Sequence, residues 1–163
     1  MAQSRLPNDR PYEATVSVGD SLSLIVRVPP RVDLGSEVRI RLGVANRLPR
    51  AVAISYRGYH PGIPRVSRRG RLWWTNTTAI IETVRRSTIQ RGDTLWTTHL
   101  WDGHPNSLEM GLTAETGTYL VEGWFFLADK ILPIKTPPSH LILVRSKPRW
   151  AAVADTSHSE QDR

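Results

Sequence analysis

The stretch "SLSLIVRVPPRVDLGSEVRIRLGV", residues 21–44, holds two runs in which apolar side chains recur at every second position. In the first, Leu22, Leu24, Val26 and Val28 alternate with Ser23, Ile25 and Arg27; in the second, Val38, Ile40, Leu42 and Val44 alternate with Arg39, Arg41 and Gly43. A period of two sends successive side chains to opposite faces, so each run reads as a strand with one buried face. Six further segments read as strands: "AVAISY" (51–56), "RLWWT" (71–75), "IIETV" (80–84), "DTLWTTHLW" (93–101), "GTYLVEGWFF" (117–126) and "SHLILV" (139–144). Between them Pro, Gly, Asn and Asp cluster in "VPPR", "NRLPR", "HPGIP", "QRGD", "WDGHPN" and "KTPPSH", the residues that turns select. The expectation is an all-β chain, an antiparallel β-sandwich of about eight strands, with a closed barrel as the second choice. The best helix candidate is "NSLEMGLTA" (106–114), weakened by Gly111 and by its shortness.

A chain of 163 residues suits one domain and buries enough surface to fold without a disulfide or metal. Residues 12–147 are expected to form the sandwich, with 1–11 as a flexible N-terminal arm and 148–163 as a polar tail whose start Trp150 could pin. The absence of cysteine removes thiol catalysis and cysteine-ligated zinc. The N-terminal residues hold no apolar signal-type core, and nowhere do 18 apolar residues run together, so the expectation is a soluble, cytoplasmic protein without a transmembrane segment.

The formal charge is +7, and 19 of the 22 basic residues are Arg, so the positive surface is built from planar, bidentate donors. Between Val38 and Ile81 there are nine arginines and no Asp or Glu. That distribution favours an anionic partner meeting one third of the chain.

Catalysis finds no residue set. No nucleophile elbow, P-loop or dinucleotide fingerprint occurs, and the strands do not alternate with the helices those motifs require. The carboxylates Glu109, Glu115 and Glu122 fall on different elements. Only "HLWDGH" brings ligand types close, with His99, Asp102 and His104, and a strand ending in an Asp-Gly turn explains the same letters better than zinc or a hydrolytic dyad. The Asn76 sequon matters only in an exported chain. A non-enzymatic protein with no cofactor and no metal is expected.

Binding remains. In "GIPRVSRRGRLWW" (62–74), Arg65, Arg68, Arg69 and Arg71 read as a basic hairpin loop leading into a strand. Strict alternation splits the adjacent tryptophans, with Leu72 and Trp74 inward and Trp73 outward among the arginines. Arg and Trp are the types enriched at interface hot spots. With Arg47 and Arg50 from the preceding turn, these residues make a candidate protein-docking surface for a partner that presents acidic groups. The bland alternative is a solvated loop beside a core strand. Nucleic acid ranks below protein, since Lys is scarce and no RRM or cold-shock aromatic motif is present. A subunit of a larger assembly at a membrane surface would use the same Arg and Trp chemistry.

The order of motifs from Gly70 to Phe126 resembles the bacterial intracellular proteinase inhibitor family (BsuPI-like). Trp74 matches its strand tryptophan, Gly92 and Asp93 its turn, Trp101 and Asp102 its Trp-Asp strand end, and Gly117, Thr118 and Tyr119 its final turn; Asn46 matches an earlier one. Arg91 and Thr116 stand where the family usually has Pro. The resemblance covers roughly residues 20–145. It implies an immunoglobulin-like sandwich that binds proteins, serine proteinases among them, with Tyr119 as a corner residue and Trp74, Trp101 and either Trp96 or Trp124 as framework. No reactive loop carries over residue by residue; "YHPGIPRVSRRG" (59–70), stiffened by Pro61 and Pro64, is the candidate exposed loop.

Overall fold

The computed structural model describes residues 10–76, 82–106 and 113–146. They contain twelve strands and no helix: β1 (Tyr12–Val18), β2 (Leu22–Val28), β3 (Arg31–Asp33), β4 (Val38–Asn46), β5 (Val52–Arg57), β6 (Gly62–Arg68), β7 (Arg71–Thr75), β8 (Val84–Ile89), β9 (Thr94–Trp101), β10 (Gly117–Phe125), β11 (Ile134–Lys135) and β12 (Ser139–Val144). The helix candidate at 106–114 lies mostly outside the described residues, as do the N-terminal arm up to residue 9, the tail with Trp150, and the start of "IIETV".

One sheet has the order β1-β2-β4-β9 and the other β3-β12-β10-β6-β7, with β11 beside β10; β5 and β8 form a separate ribbon. The two sheets face each other as a sandwich, with contacts from β10 to β2 and from β4 to β6. All pairs are antiparallel except β3 with β12, which run parallel. That pair exists because the Pro29–Pro30 turn carries the chain from β2 in the first sheet across to the edge of the second.

The two opening runs behave as their period dictates. Leu22, Leu24, Val26 and Val28 of β2 and Val38, Ile40, Leu42 and Val44 of β4 are all buried, and they meet Val66, Tyr119, Val121, Phe125, Leu141 and Leu143 from the facing sheet. Each fully buried aliphatic side chain contributes about 1.5–3 kcal/mol, which makes this stripe the main driving force for pairing the sheets. On the outer face of β4 the alternation leaves Gly43, where a Cβ would stand 2.8 Å from Trp96 Cζ3. The missing side chain lets the Trp96 ring lie over the β4 backbone.

Four strands exceed the expected eight, and β8 runs over Val84–Ile89, sharing only Val84 with the strand expected at 80–84, whose Glu82 and Thr83 lie outside it. β1, β3 and β11 are edge or very short pairings, and β6 occupies the segment expected to be loop. Its residues 62–68 form a central strand between β10 and β7. Pro61, Gly62, Pro64 and the arginines conceal a strand whose inward residue is Val66.

Asn46, at the end of β4, ties one end of the sandwich together. It is buried, and its Nδ2 donates to the carbonyls of Arg50 at 2.7 Å, Ile89 at 3.0 Å and Gln90 at 3.1 Å. Its Oδ1 accepts from Leu48 N at 2.9 Å. One side chain thus fixes the β4–β5 loop on the β8–β9 turn. Asn46→Ala leaves the buried Ile89 carbonyl and the part-buried carbonyls of Arg50 and Gln90 without this donor and is expected to cost roughly 1–3 kcal/mol in urea unfolding, while Arg50→Ala, an exposed neighbour, should stay within about 0.5 kcal/mol.

Candidate functional site

The β6–β7 hairpin turns on two residues, Arg69 with φ 48° and Gly70 with φ 75°. Two central residues with positive φ define the tight turn that matches strand twist, so the hairpin loop is shorter than the sequence implies. The register runs Arg68 to Arg71, Ser67 to Leu72, then Val66 to Trp74 and Arg65 to Thr75. Trp73 is therefore an extra residue, and a β-bulge resets the alternation at that point.

The bulge overturns the expected split of the tryptophans. Leu72 is exposed, whereas Trp73 and Trp74 both pack against the core. Trp74 stacks on Trp101 at 6.0 Å between ring centroids, Trp101 meets Tyr119 edge-on at 5.2 Å, and Trp73 meets Tyr119 edge-on at 5.8 Å. Three of the four rings also spend their polar atoms on loop carbonyls. Trp73 Nε1 donates to Gly103 O at 3.0 Å, Trp101 Nε1 to His104 O at 2.7 Å, and the Tyr119 hydroxyl to Glu115 O at 2.8 Å. Trp73 is thus framework rather than an outward anchor. Tyr119 does what a corner tyrosine does, holding the turn that precedes its own strand.

Arg68 closes this cluster. Its guanidinium lies 5.5 Å from the Trp73 ring centroid and 5.3 Å from that of Tyr119, pairs with the Glu115 carboxylate, and donates to Thr116 O at 3.0 Å. Only 9 % of its side chain is exposed. Burial comes first among the influences that raise the Tyr119 phenol above its ordinary value, with the Arg68 charge acting in the opposite sense. Arg68 is a structural cation.

The seven residues expected to form one docking surface occupy different parts of the molecule. Arg47 and Arg50 sit exposed in the β4–β5 loop at the Asn46 end, where Arg47 Nη1 donates to Ser17 Oγ at 2.9 Å. Arg69 and Arg71 are exposed at the β6–β7 hairpin, near the opposite end of the strands. Arg68 and Trp73 belong to the aromatic cluster, and Arg65 stands on the outer face of β6.

Arg65 is the one that finds a surface partner set. Its register neighbour on β10 is Glu122, and its guanidinium carbon lies 4.0 Å from the centroid of the Trp124 ring. From the other flank of β10, Lys135 Nζ on β11 lies 4.1 Å from the same centroid, and Trp124 Nε1 donates to Glu122 Oε2 at 3.2 Å. A half-buried tryptophan between two cations on an outer sheet face is the chemistry the sequence placed at Trp73, moved to a different ring. A second instance stands on the outer face of the other sheet, where Arg27 and Arg41 lie 4.7 and 4.5 Å from the Trp96 centroid. Neither tryptophan is framework. Both are legible only through cross-strand register, because the cations come from neighbouring strands far away in sequence.

His99 does not join Asp102 and His104, whose side chains do meet, His104 Nδ1 lying 3.4 Å from Asp102 Oδ1. Asp102 Oδ1 accepts from His104 N at 2.9 Å across the turn at Gly103, whose φ is 88°. His99 points the other way, buried against His60 at 5.4 Å between centroids, and its Nδ1 lies 2.9 Å from Asn76 Nδ2. No group of three or more metal-binding side chains occurs among the described residues. No helix among them is long and apolar enough to cross a membrane.

No protein-family profile matches the chain, and no curated protein does. Among solved structures it is similar to a β-glucosidase of Erythrobacter marinus, at 11% identity and a TM-score of 0.43. A β-glucosidase of Listeria innocua in complex with gluconolactone matches at 10% identity and a TM-score of 0.41. Each match covers 82% of this chain, which spans only 16% of either enzyme. The CARDB domain of the PF1109 protein of Pyrococcus furiosus matches at 12% identity and a TM-score of 0.39, covering 86% of this chain and 95% of that one.

Two outcomes are expected from these contacts. Burial, then the nearby His60, lower the His99 pKa to about 4 from an ordinary 6.5. The unfolded chain therefore takes up the proton first on acidification. The His99 contribution to stability is present well above pH 6.5 and is lost as the pH falls through 6.5 towards about 4, by roughly 3 kcal/mol in all. Urea unfolding across that window should show a shallower loss in His99→Gln than in the wild type. Separately, Arg68→Ala should lower stability by about 1–3 kcal/mol through lost packing and an unpaired Glu115, whereas Arg71→Ala should change it by no more than about 0.5 kcal/mol.

Proposed function

We propose that this protein is a non-enzymatic binding module that docks on an acidic protein surface through the outer face of its larger sheet, with Arg65, Trp124 and Lys135 at the centre. The observation that carries the reading is the Trp124 ring, half-buried between Arg65 and Lys135. An aromatic held in place before binding loses little freedom on docking, and flanking cations supply charge complementarity to carboxylates. The resemblance of the Trp74, Trp101–Asp102 and Gly117–Tyr119 motifs to intracellular proteinase inhibitors also favours a role in binding proteins.

A second reading, an accessory subunit of a larger assembly, draws on the β10–β11 connection. Ile131 and Leu132 are 95% and 76% exposed there, beside Lys130. Two large apolar side chains held in water favour a second contact surface.

Tagged wild-type protein recovered from its native source should bring down an acidic partner, and Arg65→Glu with Lys135→Glu should reduce its recovery at least about tenfold by reversing two charges at the contact. Equal recovery would remove the docking face from consideration. Ile131→Ser with Leu132→Ser should reduce co-purification only if the protein is an assembly subunit.

A further inference from the structure

A second concentration of charge lies by β3, at the opposite edge of the larger sheet from β7. An open groove of about 980 Å³ runs along the start of β1, the Pro29–Pro30 turn, β3 and the start of β4, and five arginines line it: Arg10, Arg27, Arg31, Arg39 and Arg41. One carboxylate, Glu37, also lines it. Glu37 stands 3.9 Å from Arg39, and Glu13 holds Arg27 at 2.6 Å. Arg10, Arg31 and Arg41 have no carboxylate partner among the described residues.

The cluster is produced by fold and register rather than by a run of sequence. Glu13, Arg27, Arg41 and Thr98 form one cross-strand row on the outer face of the smaller sheet. Arg39 follows two residues before Arg41 on the same face, and the proline turn brings Arg31 round from the other sheet. Two of the guanidinia are oriented in advance: Arg27 by Glu13 and Trp96, and Arg41 by Trp96. Guanidinium pairs with phosphate in a bidentate manner, and placing several cations around one groove favours an anion whose charges lie equally close together.

The charge thins along the sheet. The next row, Thr15, Ile25, Gly43 and Trp96, and the row beyond it, Ser17, Ser23, Ala45 and Thr94, contain neither Lys nor Arg, and the next cation on this face is Arg47, whose Nη1 donates to Ser17 Oγ at 2.9 Å. An extended single strand of nucleic acid leaving the groove would cross the uncharged row at Trp96 before it reached Arg47, whereas such binders track the backbone with a continuous basic path. An acidic peptide spreads single charges along its length and gains less from the same cluster. We infer that this groove binds a compact ligand bearing two or more closely spaced phosphates. The phosphates are those of a soluble polyphosphorylated molecule or of a multiply phosphorylated lipid headgroup. The site is separate from the Arg65–Trp124–Lys135 face, so either can fail without the other.

The test is calorimetric titration of the full chain with tripolyphosphate at about 0.15 M salt, where weak surface attraction is screened. Saturable binding of one ligand per chain is expected. Arg31→Gln with Arg39→Gln, both at exposed positions, should weaken it at least about tenfold, from the loss of two charge-assisted contacts. Arg71→Gln, on the distant hairpin, should leave it unchanged, and urea midpoints will establish that the variants are folded. Phosphatidylcholine vesicles with and without phosphatidylinositol bisphosphate decide the source. Retention on the phosphorylated vesicles, displaced by tripolyphosphate, assigns a headgroup; tripolyphosphate binding without retention assigns a soluble ligand. Absence of tripolyphosphate binding, an equal loss in Arg71→Gln, or oligothymidylate binding that outcompetes tripolyphosphate and tightens with length would overturn the inference.

Discussion

The aromatic contact of Trp73, Trp74, Trp101 and Tyr119 is the constraint around which one end of this sandwich is organised. It joins β7 and β10 of one sheet to β9 of the other. Edge-on and offset ring pairs add about 0.5–1.5 kcal/mol each beyond the area they bury. Their polar atoms cannot be left dry, and the Trp73 and Trp101 indole nitrogens and the Tyr119 hydroxyl each reach a carbonyl in a neighbouring loop. The loops after β9 and before β10 are therefore held by the core itself. Arg68 covers the open side of the cluster with the aliphatic stem and guanidinium that would otherwise serve a partner.

Much of the scaffold was legible in the sequence, because period-two burial is a local property. Every apolar position singled out in β2 and β4 is buried, and β7, β9, β10 and β12 begin and end close to where their patterns do. β6 was hidden, since two prolines and a glycine are turn signals, and its central place depends on β10 and β7 rather than on its own letters. The bulge at Trp73 was hidden for a related reason. One additional residue in one strand is visible only against its partner, and it reverses the facing of everything on one side of it.

The basic surface was misread by the same mechanism. A run of arginines in sequence suggested one patch, but alternation and the turn at Arg69 and Gly70 sent them to several places. The clusters that do form take their members from different strands: Arg65 of β6 and Lys135 of β11 around Trp124 of β10, and five arginines drawn from both sheets beside the proline turn. Composition correctly indicated an excess of planar cations. Only strand order determines which of them become neighbours.

The exposed edge of β7 carries a further consequence, through Asn106. Its backbone N donates to Trp73 O at 3.0 Å, its Oδ1 accepts from Thr75 N at 2.6 Å, and its Nδ2 donates to Thr75 O at 3.0 Å. A single residue thus satisfies the border of β7 from Trp73 to Thr75 as a short additional strand would. Unsatisfied borders invite another chain to zip on and propagate into fibres. Here that route is blocked over the bulged end of β7, so a partner approaching there meets Asn106 rather than a free hydrogen-bonding ladder.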